Sequence, residues 1–476
     1  MTTNPANAQL QVLWKTEYVP ALSSVALGMD VSAYGVAVVG YVNDSFADPL
    51  LDGFLLILDP IGGQVISYSR HHLGYETSLN EVAWLSDGTL LVGGERVTFD
   101  GLCQSGVVAR MTIDGDALWT LYTDTLHSRA VKTLTLSSDT SFVINTPWQE
   151  QVLGQQVNTM EFSTSGVLQD TGSTPYSYGQ YIDILKAVAL PGGGQLLVGT
   201  IFRIREPLLQ RSIYMLWTDE NLDTIRSRVL SLPDSELNGA AVDISPTGSI
   251  YIATIPPVEL PDTCFINLFK LTSEGEIVWR KHYFSGFPWC PAGAPVCKGD
   301  SVILASHYFR DEGNASYVMI LDSNGIMLRD SLYITEGWDV ILVRTKLSPD
   351  EHNIYLLANE DSIGSYSKRI SVTCIALDST LLANGPPVAV PGGFNIVAFP
   401  NPFNSTLRIS LDAPLHADVS VLLYDLLGRE VDVIYRGRIG SNAISYVAPA
   451  ALASGVYFVR ASAGERVALG KVVLLK

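Results

Sequence analysis

One pattern recurs along most of the chain: an apolar strand, a polar turn and a second strand. It reads "FLLILDPIGGQVISYSR" from Phe54, "VVARMTIDGDALWTLYT" from Val107 and "INLFKLTSEGEIVWRKHY" from Ile266. Anchored on Asp59, Asp114, Thr164, Asp219, Ser273, Asp322 and Asp378, the copies lie 55, 50, 55, 54, 49 and 56 residues apart, a period near fifty-three. Between them sits a second unit, a strand, a Gly/Pro/Asp turn and another apolar strand, as in "VAWLSDGTLLVGGE" (82–95), "AVALPGGGQLLVGT" (187–200) and "AVDISPTGSIYIAT" (241–254). Such units read as tight hairpins. Four short strands per repeat, divided by turn signals, predict an antiparallel all-β array rather than βαβ units.

Repeats of this length and strand number resemble β-propeller blades. The start of the chain supports closure into a ring. "VLWKTEYV" (12–19) has the look of a fourth strand, like "ALWTLYT" (117–123), yet it precedes the first complete repeat. The last repeat's own fourth strand, "TLLANGPP", runs into prolines, so the N-terminal strand is expected to complete the last blade and leave no exposed blade edge. The reading is all-β: a seven-bladed β-propeller over 9–385, a linker over 386–393, and a small Ig-like β-sandwich over 394–476. Phrases such as "IDGDALW" and "TSEGEIVW" resemble those of quinoprotein-like and related secreted bacterial propellers. That likeness implies a fold and says nothing of an activity.

Within each repeat the turns between strands one and two and between three and four are short, while the other connections are long and variable. Antiparallel succession puts the long ones on one face, which makes that face a recognition surface on a rigid scaffold. Off-pattern aromatics fall there: Tyr75, Trp148, Tyr176, Tyr178, Phe287, Trp289 and Trp338. They could stack on sugar rings or anchor a protein, or pack between blades. Asp183, Asp243 and Asp339 lie near the starts of inner strands, as channel residues or as backbone caps.

With 30 Lys+Arg against 48 Asp+Glu the formal charge is -18, so a nucleic acid is repelled on average. No stretch reaches the roughly eighteen apolar residues of a membrane span. Metal-binding spacings and phosphate-cradling loops are missing from the sequence, and "PGGGQ" (191–195) is a hairpin turn, so neither metal nor cofactor is expected. Cys290 and Cys297, in "WCPAGAPVCK", are spaced to close a small disulfide loop in an oxidising compartment. Cys103, Cys264 and Cys374 read as buried thiols.

After "ANGPPVAVPGGFN" the character changes. From Pro391 to Lys476 there are eight basic and six acidic residues, and short alternating segments such as "TLRISLD" and "GVYFVRAS" suit a small sandwich. The ordered motifs are Pro400-Asn401-Pro402-Phe403-Asn404, then "YDLLGREV" with Gly428, then "ASGVYF" with Gly455 and Tyr457, and a final strand ending at Lys476. Together they resemble the C-terminal sorting domain, type A, of the type IX (Por) secretion system. The resemblance implies Sec export, a partnership with the secretion machinery, removal of the tail near the linker, and release or attachment at the cell surface. The family also expects a signal peptide. "MTTNPANAQLQ" lacks its basic and apolar regions, although Ala6-Asn7-Ala8 fits the small-x-small pattern before a cut.

Two functions remain open. One is an exported binding module for a glycan or protein. The other is a secreted glycan hydrolase or lyase using carboxylates at the propeller channel. Two or more carboxylates with an Arg or His at one channel mouth would favour the enzyme.

Overall fold

The computed structural model describes residues 10–45, 50–97, 104–123, 130–150, 154–173, 180–205, 208–231, 238–255, 265–284, 294–308, 315–363, 367–377, 396–399, 403–411, 418–425, 429–438, 443–449, 452–463 and 466–474. Every regular element among them is a strand. The chain divides into two compact units, Met1–Thr380 and Leu381–Lys476.

The first unit holds seven four-stranded antiparallel sheets among its described residues, a propeller-like arrangement. Their first strands are Ser23–Val31, Glu76–Trp84, Thr133–Leu136, Gln180–Ala189, Asn238–Ile244, Ala294–Lys298 and Trp338–Leu347. Each first strand touches that of the next sheet, and the last returns to the first, so the sheets form a cycle. Apolar side chains fill every gap between neighbours. Val38 and Leu56 pack toward the seventh sheet's Tyr355 and Leu357, while Val39 and Leu55 pack toward the second sheet's Val82 and Val92. This explains the uninterrupted apolar runs "VAVV" and "FLLIL": alternate side chains point to opposite faces, and both faces are covered.

The N-terminal strand Val12–Tyr18 pairs antiparallel with Lys368–Ala376 and so supplies the seventh sheet's fourth strand. Its Trp14 packs between neighbours. A Cβ on Gly63, in the turn of the first sheet, would lie 2.5 Å from the Trp14 ring. Gly63 also takes φ +72, so its residue type is fixed both by the turn and by the indole over it. The Thr16 hydroxyl donates to the Gly63 carbonyl at 2.6 Å. Trp119 and Trp279 likewise lie against turn glycines of the next sheet, Gly166 and Gly325, and each also donates its ring N–H to a carbonyl in that turn, Thr164 and Ser323.

Five first strands carry a bulge at a matching position: between Ala26 and Gly28, Leu79 and Glu81, Ile184 and Lys186, Asn238 and Ala241, and Leu342 and Arg344. Glycines face three of these bulges from the second strand: Gly40 opposite Ala26, Gly94 opposite Leu79 and Gly199 opposite Ile184. A Cβ at Gly94 would overlap the carbonyl oxygen of Ser78. Gly94→Val is therefore expected to destabilise the protein by about 1–3 kcal/mol through overpacking. Thermal unfolding checks it; an unchanged melting temperature would refute the close approach.

The second unit contains two sheets among its described residues. One is ordered Ile396–Phe399, Thr406–Leu411, Ala443–Val447, and the other Glu430–Arg438, Asp418–Tyr424, Gly455–Ala463, Arg466–Leu474. Their shared core includes Phe403, Leu407, Val421, Leu423, Tyr457 and Val472.

Candidate functional site

All seven first strands of the first unit contribute to one cavity of about 360 Å³. Bulges re-aim side chains, and here the residue just after the bulge is Glu81, Lys186 or Arg344 in three of the strands. Two positions further on, where the strand's alternation returns to the same side, stand Asp30, Asp243 and Lys346. These six charged residues line the cavity in two tiers.

In the first tier Glu81 is shared. Its Oε1 lies 2.9 Å from Arg344 Nη2 and its Oε2 lies 3.9 Å from Lys186 Nζ. In the second tier Asp30 Oδ1 sits 3.1 Å from Lys346 Nζ, and Asp30 Oδ2 accepts the backbone N–H of Trp84 in the neighbouring sheet at 3.0 Å. Asp243 does the same work between the fifth and sixth sheets. It accepts the backbone N–H of Cys297 at 2.7 Å and that of Ile244 at 2.9 Å. Asp30 and Asp243 thus tie adjacent sheets together.

The pKa directions follow from these surroundings. Burial pushes the Asp243 carboxyl above its ordinary range, against the lowering effect of its two amides. Glu81 acts to raise Lys186, but loss of solvent together with the neighbouring Arg344 and Lys346 brings it down to about 8. Lys346 is raised, chiefly by Asp30. Burial, with Asp243 beside it, pushes the Cys297 thiol up.

A second charged cluster secures the N-terminal strand. Glu360 is 1% exposed and contacts Lys15 Nζ at 2.7 Å, Arg369 Nε at 2.6 Å and the Ser371 hydroxyl at 2.7 Å. Arg369 in turn reaches Glu17 at 2.7 Å and lies 3.7 Å over the ring of Trp338. Burial alone would raise the Glu360 carboxyl, yet Lys15, Ser371 and Arg369 outweigh it and hold it below its ordinary value.

Of the residues expected from sequence, Asp243 does line the cavity. Asp339 starts its strand opposite Asp361, outside the lining. Tyr75 is exposed, and its backbone N–H pairs with Val97. Trp338 is half-buried beneath Arg369. Trp148 lies on the strand Ser141–Glu150, paired in register with Gln156. Tyr176, Tyr178, Phe287 and Trp289 lie outside the described residues, as do Cys290, Cys103 and Cys264. Cys297 and Cys374 are buried free thiols. The charges at Glu81, Lys186, Arg344, Lys346 and Asp30 were not singled out in the sequence. Their only signal is a charge breaking an apolar first strand near its middle. Among the described residues no group of three or more His, Cys, Asp or Glu side chains gathers as a metal would require.

In the second unit two of the described motif residues, Phe403 and Tyr457, are core. Phe403 is 2% exposed, and its backbone N–H donates to the Val473 carbonyl at 2.9 Å. Asn404 is exposed beside it. Tyr457 is buried and its hydroxyl donates to the Ala453 carbonyl at 2.7 Å. A Cβ on Gly455 would meet only the Tyr457 ring, at 3.8 Å. Pro400, Asn401, Pro402, Gly428 and Lys476 lie outside the described residues.

No curated protein matches the chain. Among solved structures it is similar to a polysaccharide lyase at 10% identity and TM-score 0.48, covering 76% of this chain and 92% of that one. It is similar to a puromycin hydrolase at 16% identity and TM-score 0.42, covering 75% of this chain and 52% of that one. A Bombyx mori GH32 β-fructofuranosidase follows at 12% identity and TM-score 0.31, covering 71% and 88%. At these values the likenesses carry no argument about activity. The tail is different: residues 397–475 match the family described as the secretion system C-terminal sorting domain. Such a domain engages the secretion machinery, and no helix among the described residues is long and apolar enough to cross a membrane. Residues 397–475 are a type IX sorting domain, and the all-β chain that carries it is an exported protein of the cell surface or medium.

Proposed function

We propose that the chain is an exported binding module: a seven-bladed β-propeller over 9–385, displayed or released after removal of an Ig-like tail over 394–476. Its ligand, a glycan or a protein, meets the long-loop face around Tyr75, Trp148 and Trp338. The observation that carries binding over catalysis is the state of the channel carboxylates. Hydrolysis of a glycosidic bond by two carboxyl groups needs one free to donate a proton and one free to attack or activate water. Glu81 is engaged by Arg344 and faces Lys186, while Asp30 is held by Lys346 and the Trp84 amide. Asp243 is held by two amides.

A second reading, an exported glycan hydrolase or lyase, draws on one specific feature. Asp243 and Lys186 are both shifted toward their neutral forms and line the same cavity. Such shifts suit an acid or base. The full chain on a glycan array and in pulldowns with extracellular proteins, run beside depolymerisation assays, decides between the two. Binding without turnover supports the module. Turnover that Asp243→Asn abolishes while the melting temperature holds would replace it with the enzyme.

A further inference from the structure

The channel cluster has one cation more than its carboxylates use. Asp30 pairs with Lys346 at 3.1 Å and Glu81 with Arg344 at 2.9 Å, while Asp243 is satisfied by the amides of Cys297 and Ile244. Lys186 is left over. It approaches Glu81 only to 3.9 Å, beyond hydrogen-bond range, and among the described residues its Nζ makes no hydrogen bond. Its side chain keeps 28% exposure, and the surface it shows lines a cavity of about 360 Å³. The imbalance belongs to one tier. Lys186 and Arg344 follow bulges at matching positions with only Glu81 beside them, which leaves that tier with a net positive charge.

We propose that this cavity binds a small organic carboxylate, its anionic group seated on Lys186 at the side away from Glu81. The chemistry is that of a charge-assisted hydrogen bond, short and roughly twice as strong as a neutral one. The volume falls at the low end of the roughly 300–1,000 Å³ of small-molecule pockets, which suits a compact organic carboxylate. Val82, Ala187 and Val188 supply apolar wall for its carbon chain. Every other charged group facing the site is already paired: Glu81, Arg344, Asp30 and Lys346 with one another, Asp243 with backbone. The site is independent of the long-loop face, so it stands or falls apart from the ligand proposed there.

The reading has a proton signature. Without ligand Lys186 titrates near 8, because desolvation and the cations Arg344 and Lys346 outweigh Glu81. A bound carboxylate favours the charged ammonium and raises that value. Near pH 8.5, then, binding takes up protons, and a weakly buffered solution turns more alkaline.

The test uses the full chain with acetate, succinate and gluconate as probes and sorbitol as the uncharged counterpart of gluconate. Saturation-transfer NMR is expected to show at least one carboxylate bound and sorbitol not bound. Lys186→Met is expected to weaken that binding about tenfold or more. Lys281→Met, on the outer strand Ile277–Phe284, leaves it unchanged. Should Lys186→Met misfold, the wild-type protein still decides, because the bound probe slows reductive methylation of Lys186 relative to Lys281. Binding of none of the three carboxylates, equal binding of sorbitol and gluconate, or undiminished binding by a folded Lys186→Met overturns the proposal.

Discussion

Removal of residues 1–18 is expected to abolish the folded first unit rather than merely fray it. The deletion takes away the whole edge strand of the seventh sheet, which pairs from Val12 to Tyr18 with Ile375 to Ile370. Trp14 and Tyr18 go with it, both packed against the cluster shared by the seventh and first sheets. Truncating a packed aromatic costs about 3–5 kcal/mol, so the two together rival the about 5–15 kcal/mol that holds a domain folded. Electrostatics adds to the loss. Glu360 would keep Arg369 and Ser371 but lose Lys15, and Arg369 would lose Glu17. Its carboxyl is held below the ordinary 4.5 in the folded state, so its contribution is complete above that value. It fades as pH falls through the lowered one. The measurement is a thermal melt of the truncated chain together with Trp14→Ala, repeated at falling pH. A truncation that melts cooperatively within a few degrees of the intact protein would sink the claim that this strand closes the ring.

Deleting residues 394–476 is expected to have the opposite profile: an intact melt for the first unit and loss of export beyond the periplasm. The two compact units and the sorting-domain match at 397–475 together give that expectation. A point change should reproduce it. Phe403 is buried at 2% among Leu407, Val421, Leu423 and Val472, and Phe403→Ala costs about 3–5 kcal/mol. A domain of some eighty residues has little margin to absorb that. Cell fractionation with surface proteolysis is the readout. Surface display of the truncation at wild-type level would contradict the assignment of the tail. Undiminished display of Phe403→Ala would show instead that export tolerates a loosened tail core.

Much of the framework was legible because it rests on local patterns. Turns such as "IDGD" and "TSEG" repeat with the strands around them, and "VLWKTEYV" carries the same Trp-centred pattern as other fourth strands, so its pairing with Lys368–Ala376 followed. The tail's motif was legible for the same reason, although only the fold reveals Phe403 as a core anchor. The cavity was another matter. Glu81, Lys186 and Arg344 meet because bulges shift the register by one residue, and one residue decides which side of a strand a side chain takes. Plain alternation therefore misplaces them. Gly40 and Gly94 in "VVGYV" and "LLVGGE" were the available clue: glycine inside a strand often marks a bulge or a close approach. The long-loop aromatics had no such local cue, and Trp338 proves to be covered on one side by an arginine more than thirty positions later in the chain.

The closing strand also sets an order of events. Leu10 and Lys15 bond to Ser331 and Thr335, partners more than three hundred positions away, and the seventh sheet also reaches back across the chain through Asn359 to Ala26 and Lys346 to Asp30. In equilibrium terms so distant a partner costs little extra, about 0.6 kcal/mol for each doubling of the loop. In kinetic terms it weighs far more, since non-local pairing slows folding steeply. Val12–Tyr18 must wait for Lys368–Ala376 before it can settle, and the apolar flank of the seventh sheet waits with it. The seventh sheet is therefore expected to be the last of the seven to form.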